Sequence, residues 1–190
     1  METVTLAGGP ARYAIATLAG GCFWCTEAIF KRLKGVISAL PGYTGGTIKN
    51  PNYEEVCIGK TVHAEVIQIE FDPKVISFDK LLEVFWYLHN PTTLNRQGND
   101  VGTAYRSAIF YHDQSQKETA EKSKAQAQKK LTDKIVTEIV PFTKFYEAEN
   151  YHKNYYDSNR GQGYCQIVID PKIKKLLSEY KMDVKGEYLG

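Results

Sequence analysis

Tyr13-Ala14-Ile15-Ala16-Thr17-Leu18-Ala19-Gly20-Gly21-Cys22-Phe23-Trp24-Cys25 decides the fold class. Tyr13 to Leu18 is a short apolar run of the kind a buried strand carries. Ala19-Gly20-Gly21 ends it. Cys22 to Leu33 then reads as a helix, with Phe23, Thr26, Phe30 and Leu33 on one face at three- and four-residue spacing. A strand, two glycines and a helix make an α/β opening. Downstream, residues 62–71 alternate as a strand, with His63, Glu65, Ile67, Ile69 and Phe71 on one face. Phe78 to His89 is an amphipathic helix that Asn90-Pro91 stops. Residues 104–112 and 136–140 read as strands, 113–131 as an exposed helix, and Pro171 opens a last helix. Residues 35–61 and 91–103, rich in glycine and polar residues, read as loops. The expected fold is an α/β (α+β) two-layer sandwich: one mixed sheet of four or five strands, flanking helices and a ferredoxin-like core.

The 190 residues fit a single catalytic domain spanning 1–190, with a loose N-terminal arm over 1–11 and a polar C-terminal tail over 178–190. The net charge of +2 comes from 24 basic and 22 acidic residues, so composition offers no nucleic-acid or anionic-membrane partner. The chain has no apolar stretch of membrane-spanning length, and its start lacks the pattern of a signal peptide. A reducing, cytoplasmic setting and a monomer are the default expectations. Four cysteines, at 22, 25, 57 and 165, are too few and too unevenly spaced for a disulfide scaffold.

Cys22 stands where a buried strand meets a helix start. Free amides and the helix dipole there favour negative charge, so the thiol is expected to titrate low and serve as a nucleophile. The same position also suits an inert buried cysteine. Cys22 and Cys25 form a C-x-x-C pair, a dithiol redox motif or half a zinc site. Cys57 and His63 match no common zinc spacing, and no metal is expected. Glu65 shares a face with Ile67, Ile69 and Phe71, so desolvation should raise its pKa and suit it to general acid work. Read alone, it is equally a salt-bridged edge residue. Asp100 lies in a polar loop, Tyr53 in the first loop, and Tyr105 at the start of a strand.

Five ordered motifs then come together: Gly20-Gly21-Cys22-Phe23-Trp24-Cys25-Thr26-Glu27; Gly42-Tyr43-Thr44-Gly45-Gly46; Asn50-Pro51-Asn52-Tyr53-Glu54-Glu55-Val56-Cys57; His63-Ala64-Glu65-Val66; and Gln97 to Ser107. With Glu149, His152 and Tyr155 as a further patch, they resemble the peptide methionine sulfoxide reductases of the A class over residues 13–177. The resemblance implies reduction of the S epimer of methionine sulfoxide, free or in proteins. Cys22 would be the nucleophile and Glu65 the acid that protonates the sulfoxide oxygen. Tyr53 and Tyr105 would hydrogen-bond that oxygen, Asp100 would organise the site, and Phe23 and Trp24 would receive the methyl group. No cofactor is implied as bound. The Cys22 sulfenic acid would condense with a second thiol, Cys165 or alternatively Cys25, and a thioredoxin-like protein would reduce the disulfide. Gly161 and Gly163 would give the Cys165 segment mobility. A general thiol–disulfide oxidoreductase and a non-catalytic peptide-binding module are the competing readings. Val62 stands where the family usually has glycine, and as a β-branched residue it is expected in ordinary extended backbone.

Overall fold

Leu18 and Ala19, neighbours on opposite faces of the first strand, are both fully buried, as befits the middle of a covered sheet. The computed structural model describes residues 13–189; the expected arm over 1–11 lies outside them. In chain order the elements are β1 (Ala14–Gly20), α1 (Phe23–Phe30), β2 (Val36–Thr44), α2 (Tyr53–Cys57), β3 (Ala64–Phe71), α3 (Phe78–Leu88), β4 (Arg96–Gln97), β5 (Asp100–Val101), β6 (Ser107–Tyr111), α4 (Gln114–Gln128), β7 (Glu138–Pro141), β8 (Tyr146–Glu147), α5 (Tyr155–Ser158) and α6 (Asp170–Glu179). The main sheet has six strands in the order β7-β6-β1-β3-β2-β8. Its inner four, β6-β1-β3-β2, pair antiparallel and arise from β1-α1-β2-β3-α3-β6, which is the ferredoxin-like arrangement. β7 joins β6 in parallel, so the sheet is mixed.

The helices cover one face. Ala16, Leu18, Ile67, Ile69 and Ile109 pack there with Phe30, Leu82, Phe85 and Leu176. The other face carries the smaller Ala19, Ala64, Val66 and Ala108 with Phe110, under Phe142 and Phe145. The alternation read for residues 62–71 therefore places Glu65 with Ile67 and Ile69 toward the helices. Helix α1 is buried nearly all round, with Trp24 half-buried, rather than on the single face expected.

Three local expectations are corrected. Residues 35–61 are not mostly loop: β2 pairs with β3 from Val36 to Thr44, across a bulge between Val36 and Ser38, and α2 follows. Pro41 and Gly42 disguise this strand. Glycine is required there because a Cβ on Gly42 would lie 2.3 Å from the Phe145 ring and 2.5 Å from the Tyr146 carbonyl of β8. Tyr105 lies in a 3₁₀ turn (Thr103–Tyr105) before β6, not in the strand. Val62 is not extended: its φ is +57°, in the left-handed region a β-branched residue avoids. Its carbonyl accepts a bond from Arg106 Nη1 at 3.1 Å, and Arg106 also reaches the Thr103 carbonyl and Glu138, so tertiary contacts hold the strained residue.

The segment expected as a polar tail docks on the end of α1. Val184 is fully buried and bridges to Leu33, Lys185 N–H donates to the Arg32 carbonyl, and the Arg32 guanidinium lies over the Tyr188 ring.

Candidate active site

The antiparallel pairing of β1 and β3 sets up the site. Two residues beyond the Leu18–Ile67 pair stand Gly20 and Glu65, so the start of β3 meets the start of α1. Cys22 is the N-cap of α1. Gly21 makes the turn at φ +88°, and the Gln97 side chain fills the space a Cβ would need, 2.5 Å away. Gln97 in turn bonds the Asn90 backbone, which seats the β4–β5 hairpin carrying Asp100 against the turn.

The first free amide of the helix does not serve the thiol. Phe23 N–H donates to Glu65 Oε2 at 3.0 Å. Glu65 is 1% exposed, and burial pushes its carboxyl up to about 8. The Phe23 amide opposes the rise, while the charges of Asp100 and Cys25 add to it. Glu65 is therefore a neutral acid at pH 7, as its strand face implies. The low-titrating Cys22 expected from its helix-start position is corrected. The thiol is 7% exposed, and burial, then its hydrogen bond to Cys25, then the charge of Glu65, push it well above the ordinary value. Desolvation outweighs a dipole whose nearest amide is engaged elsewhere. Cys25 is the lower thiol of the pair, drawn down to about 7 by the bond from Cys22, against burial, with help from Lys172 and Tyr164.

Aromatic groups line the remainder. Trp24 stacks on Tyr155 at 3.6 Å between centroids, and its Nε1–H donates to His152 Nδ1 at 3.1 Å. Phe23 is buried behind it, against Tyr43, Tyr53 and His152. Tyr53 opens α2, which Asn52 and Glu55 cap reciprocally. Its N–H donates to Glu149 Oε1 at 2.9 Å, and the Tyr43 hydroxyl donates to Glu149 Oε2 at 2.8 Å. Burial raises the Tyr53 and Tyr105 phenols, and both feel the charge of Glu65. Tyr164 donates to Asp100 Oδ2 at 2.8 Å and stands edge-on to Trp24.

The fold thus gathers Cys22, Glu65, Tyr53, Tyr105, Asp100, Phe23 and Trp24 around the α1 N-terminus. Cys165 lies on another element. It is fully buried in the same core as Cys22 and Cys25, in a π-helical turn (Cys165–Ile169) that runs into α6, where burial and the charges of Asp170 and Cys25 push its thiol up. Tyr164 and Cys57 also belong to the site, although the sequence reading gave neither a role there. The Tyr-Cys pair at 164–165 and the four-residue step from Tyr53 to Cys57 were the available signals. His63 uses both ring nitrogens on backbone, accepting from Gly46 N and bonding the Ile48 carbonyl. Among the described residues no group of three or more His, Cys, Asp or Glu could hold a metal ion.

A dithiol beside a neutral, buried carboxylic acid can add a thiol to an acceptor and protonate the oxygen that leaves. Fold and site together define a cysteine-based oxidoreductase on a ferredoxin-like sheet. Peptide methionine sulfoxide reductase is the family whose pattern matches residues 14–185, and the chain belongs to it. It is 58% identical over 166 residues to the peptide methionine sulfoxide reductase MsrA of Sulfolobus acidocaldarius, covering 87% of this chain and 94% of that one. The crystal structure of Mxr1 from Saccharomyces cerevisiae in reduced form superposes with a TM-score of 0.76 at 38% identity, covering 85% of this chain and 94% of that one. The same yeast protein in complex with Trx2 gives 0.54 at 29% identity, covering 80% of this chain and 91% of that one. The protein is a peptide-methionine (S)-S-oxide reductase, working by thiol chemistry at cysteine.

Proposed function

We propose that Cys22 attacks the sulfoxide sulfur while Glu65 protonates its oxygen, with free or peptide-bound methionine sulfoxide as substrate. The carrying observation is the buried, neutral Glu65 carboxyl on the first amide of the helix that Cys22 caps. A sulfoxide is a poor electrophile until its oxygen gains a proton. Glu65 supplies that proton and recovers the one Cys22 loses as its Sγ bonds to sulfur. Tyr53 and Tyr105 donate to the oxygen. The hydroxyl oxygen then passes to Cys22 Sγ as the S–O and S–Sγ bonds at the substrate sulfur both break, leaving methionine and Cys22 sulfenic acid. Trp24, held by Tyr155 and His152, is an apolar wall for the methyl group, backed by Phe23. Asp100 holds Tyr164 beside Trp24.

The sulfenic acid then condenses with a thiol, releasing water and forming a disulfide. Sequence ranked Cys165 ahead of Cys25; the geometry supports the reverse. Cys25 lies one turn along α1 from Cys22 and is the lower thiol of that pair, whereas Cys165 is carried by a separate element, the π-helical turn before α6. A thioredoxin-like dithiol takes the disulfide by exchange, a reading supported by the yeast relative solved with Trx2. A monomer in a reducing, cytoplasmic setting belongs to the same proposal.

The test is Glu65→Gln in single turnover. The amide keeps the shape but cannot give up a proton at useful cost, so methionine formation should slow about 10²–10⁴-fold. A rate within threefold of the parent removes Glu65 as the acid.

A further inference from the structure

We propose that Cys57 is a positioning residue for the reductive step, its sulfur being the point on which the Tyr53 and Tyr105 hydroxyls converge before substrate arrives. The proposal rests on the reading that these phenols bind the sulfoxide oxygen. Tyr53 and Cys57 are the first and last residues of α2, four apart and therefore on one helix face. Tyr105 reaches the same sulfur from the 3₁₀ turn before β6, with its Oη 3.9 Å from Cys57 Sγ. Burial and the Glu65 charge push the Cys57 thiol up against the pull of Tyr53 and Tyr105, and in the proposed arrangement both phenols donate to sulfur.

The choice of acceptor matters. A thiol sulfur accepts hydrogen bonds weakly. It fixes the direction of two O–H donors yet gives them up readily to the oxygen of a sulfoxide, a much stronger acceptor. A carboxylate in its place would hold the donors back, and an apolar side chain would leave them to rotate. Donors already aimed at one point need no reorganisation as charge develops on the oxygen. The helix that carries the sulfur is held at its first turn by the Asn52–Glu55 capping box and the bond from Tyr53 N–H to Glu149.

The experiment is a rapid-quench measurement of methionine formed in one turnover by Cys57→Ala, Cys57→Ser, Tyr53→Phe and Tyr105→Phe, and by Cys57→Ala combined with Tyr105→Phe. Loss of the acceptor should slow the alanine variant about 5–20-fold, a fraction of the effect of deleting a donor outright. KM should stay within about twofold, and serine, still an acceptor, should return the rate to within about threefold of the parent. Over Tyr105→Phe the alanine change should have at most about half its logarithmic effect, because the two residues act through one bond. An alanine rate within twofold of the parent, beside a slow Tyr105→Phe, overturns the positioning role and leaves the phenols in place. Equal losses in alanine and serine, additive over Tyr105→Phe, overturn it in favour of packing. Parental rates in both Tyr53→Phe and Tyr105→Phe overturn instead the reading on which it rests. Cys57→Val fills the same volume without an acceptor and carries the same expectation if the alanine variant fails to fold.

Discussion

Glu65 is a residue whose chemistry burial changes, and its titration makes two predictions. A carboxyl near 8 is mostly protonated at pH 7, half protonated at pH 8 and progressively less above it. The single-turnover rate should therefore acquire a falling limb near pH 8, and Glu65→Gln should lack that limb. The stability effect has a definite sign. The folded pKa is raised above the ordinary value of 4.5, so the contribution of Glu65 is fully present below about pH 4.5 and is lost as pH climbs toward 8. The melting temperature of Glu65→Gln, measured against the parent, should gain ground between pH 5 and pH 8; a constant difference would contradict a buried neutral acid. Val62 is the second single-residue case. Its φ of +57° costs about 1–3 kcal/mol, part of which glycine would return as chain entropy. Val62→Gly should raise stability by about 1 kcal/mol, or about 2–4 °C in Tm. The exposed side chain gives up little packing in exchange.

Among the elements, α2 is the one whose local chemistry reaches the reaction. Five residues cannot hold a helix by propagation alone. The capping box supplies what length does not, with Asn52 accepting from Glu55 N–H at 2.9 Å and Glu55 accepting from Asn52 N–H at 3.2 Å. Asn52→Ala should cost about 1 kcal/mol of stability. It should also slow methionine formation, because Tyr53 and Cys57 sit at the two ends of the element it loosens. Denaturant titration and single-turnover rates on the same preparation check both; a stability loss with a parental rate would uncouple the helix from the site. Strand β2 carries the same lesson in the sheet. Tyr43, paired with Glu65 across the ladder, reaches Glu149, so the strand hidden in a glycine-rich stretch is what fixes the Glu149 carboxylate beside Tyr53.

At the scale of the whole molecule, the proposed order of disulfides follows from where the thiols sit along the chain. Cys25 lies one turn along α1 from Cys22, whereas Cys165 sits in the π-helical turn before α6, all three buried in one core cluster. Oxidation with one equivalent of methionine sulfoxide, without reductant, should give a Cys22–Cys25 peptide as the dominant product, and Cys165→Ser should leave that product unchanged. A dominant Cys22–Cys165 peptide would restore the order that sequence favoured. The docked C-terminal segment predicts a further global effect. Val184 seals Leu33 at the end of α1, and burying one such side chain is worth about 1.5–3 kcal/mol. Removing residues 181–190 should therefore lower Tm by several degrees, as a thermal scan would show, while a parental Tm would mean the docking adds nothing.

What the sequence determined by itself was local and periodic. The strand–glycine–helix start, the alternation that turns Glu65 inward with Ile67 and Ile69, and the helix from Phe78 were all legible because periodicity reports which face is buried. The motifs around Cys22, Tyr53, Glu65 and Tyr105 named the family and the candidate site. What only the tertiary structure decided was whatever depends on a neighbour far along the chain. β2 looked like loop because Gly42 is shaped by Phe145 and Tyr146, about a hundred residues later. Val62 looked extended because the contacts that hold it left-handed come from Arg106. Cys22 looked like a low-titrating thiol because a helix start is visible in sequence, whereas the depth of its burial and the engagement of the Phe23 amide by Glu65 are not. Desolvation depends on everything packed around a group, so the protonation states at this site became readable only once the sheet had brought its strands together.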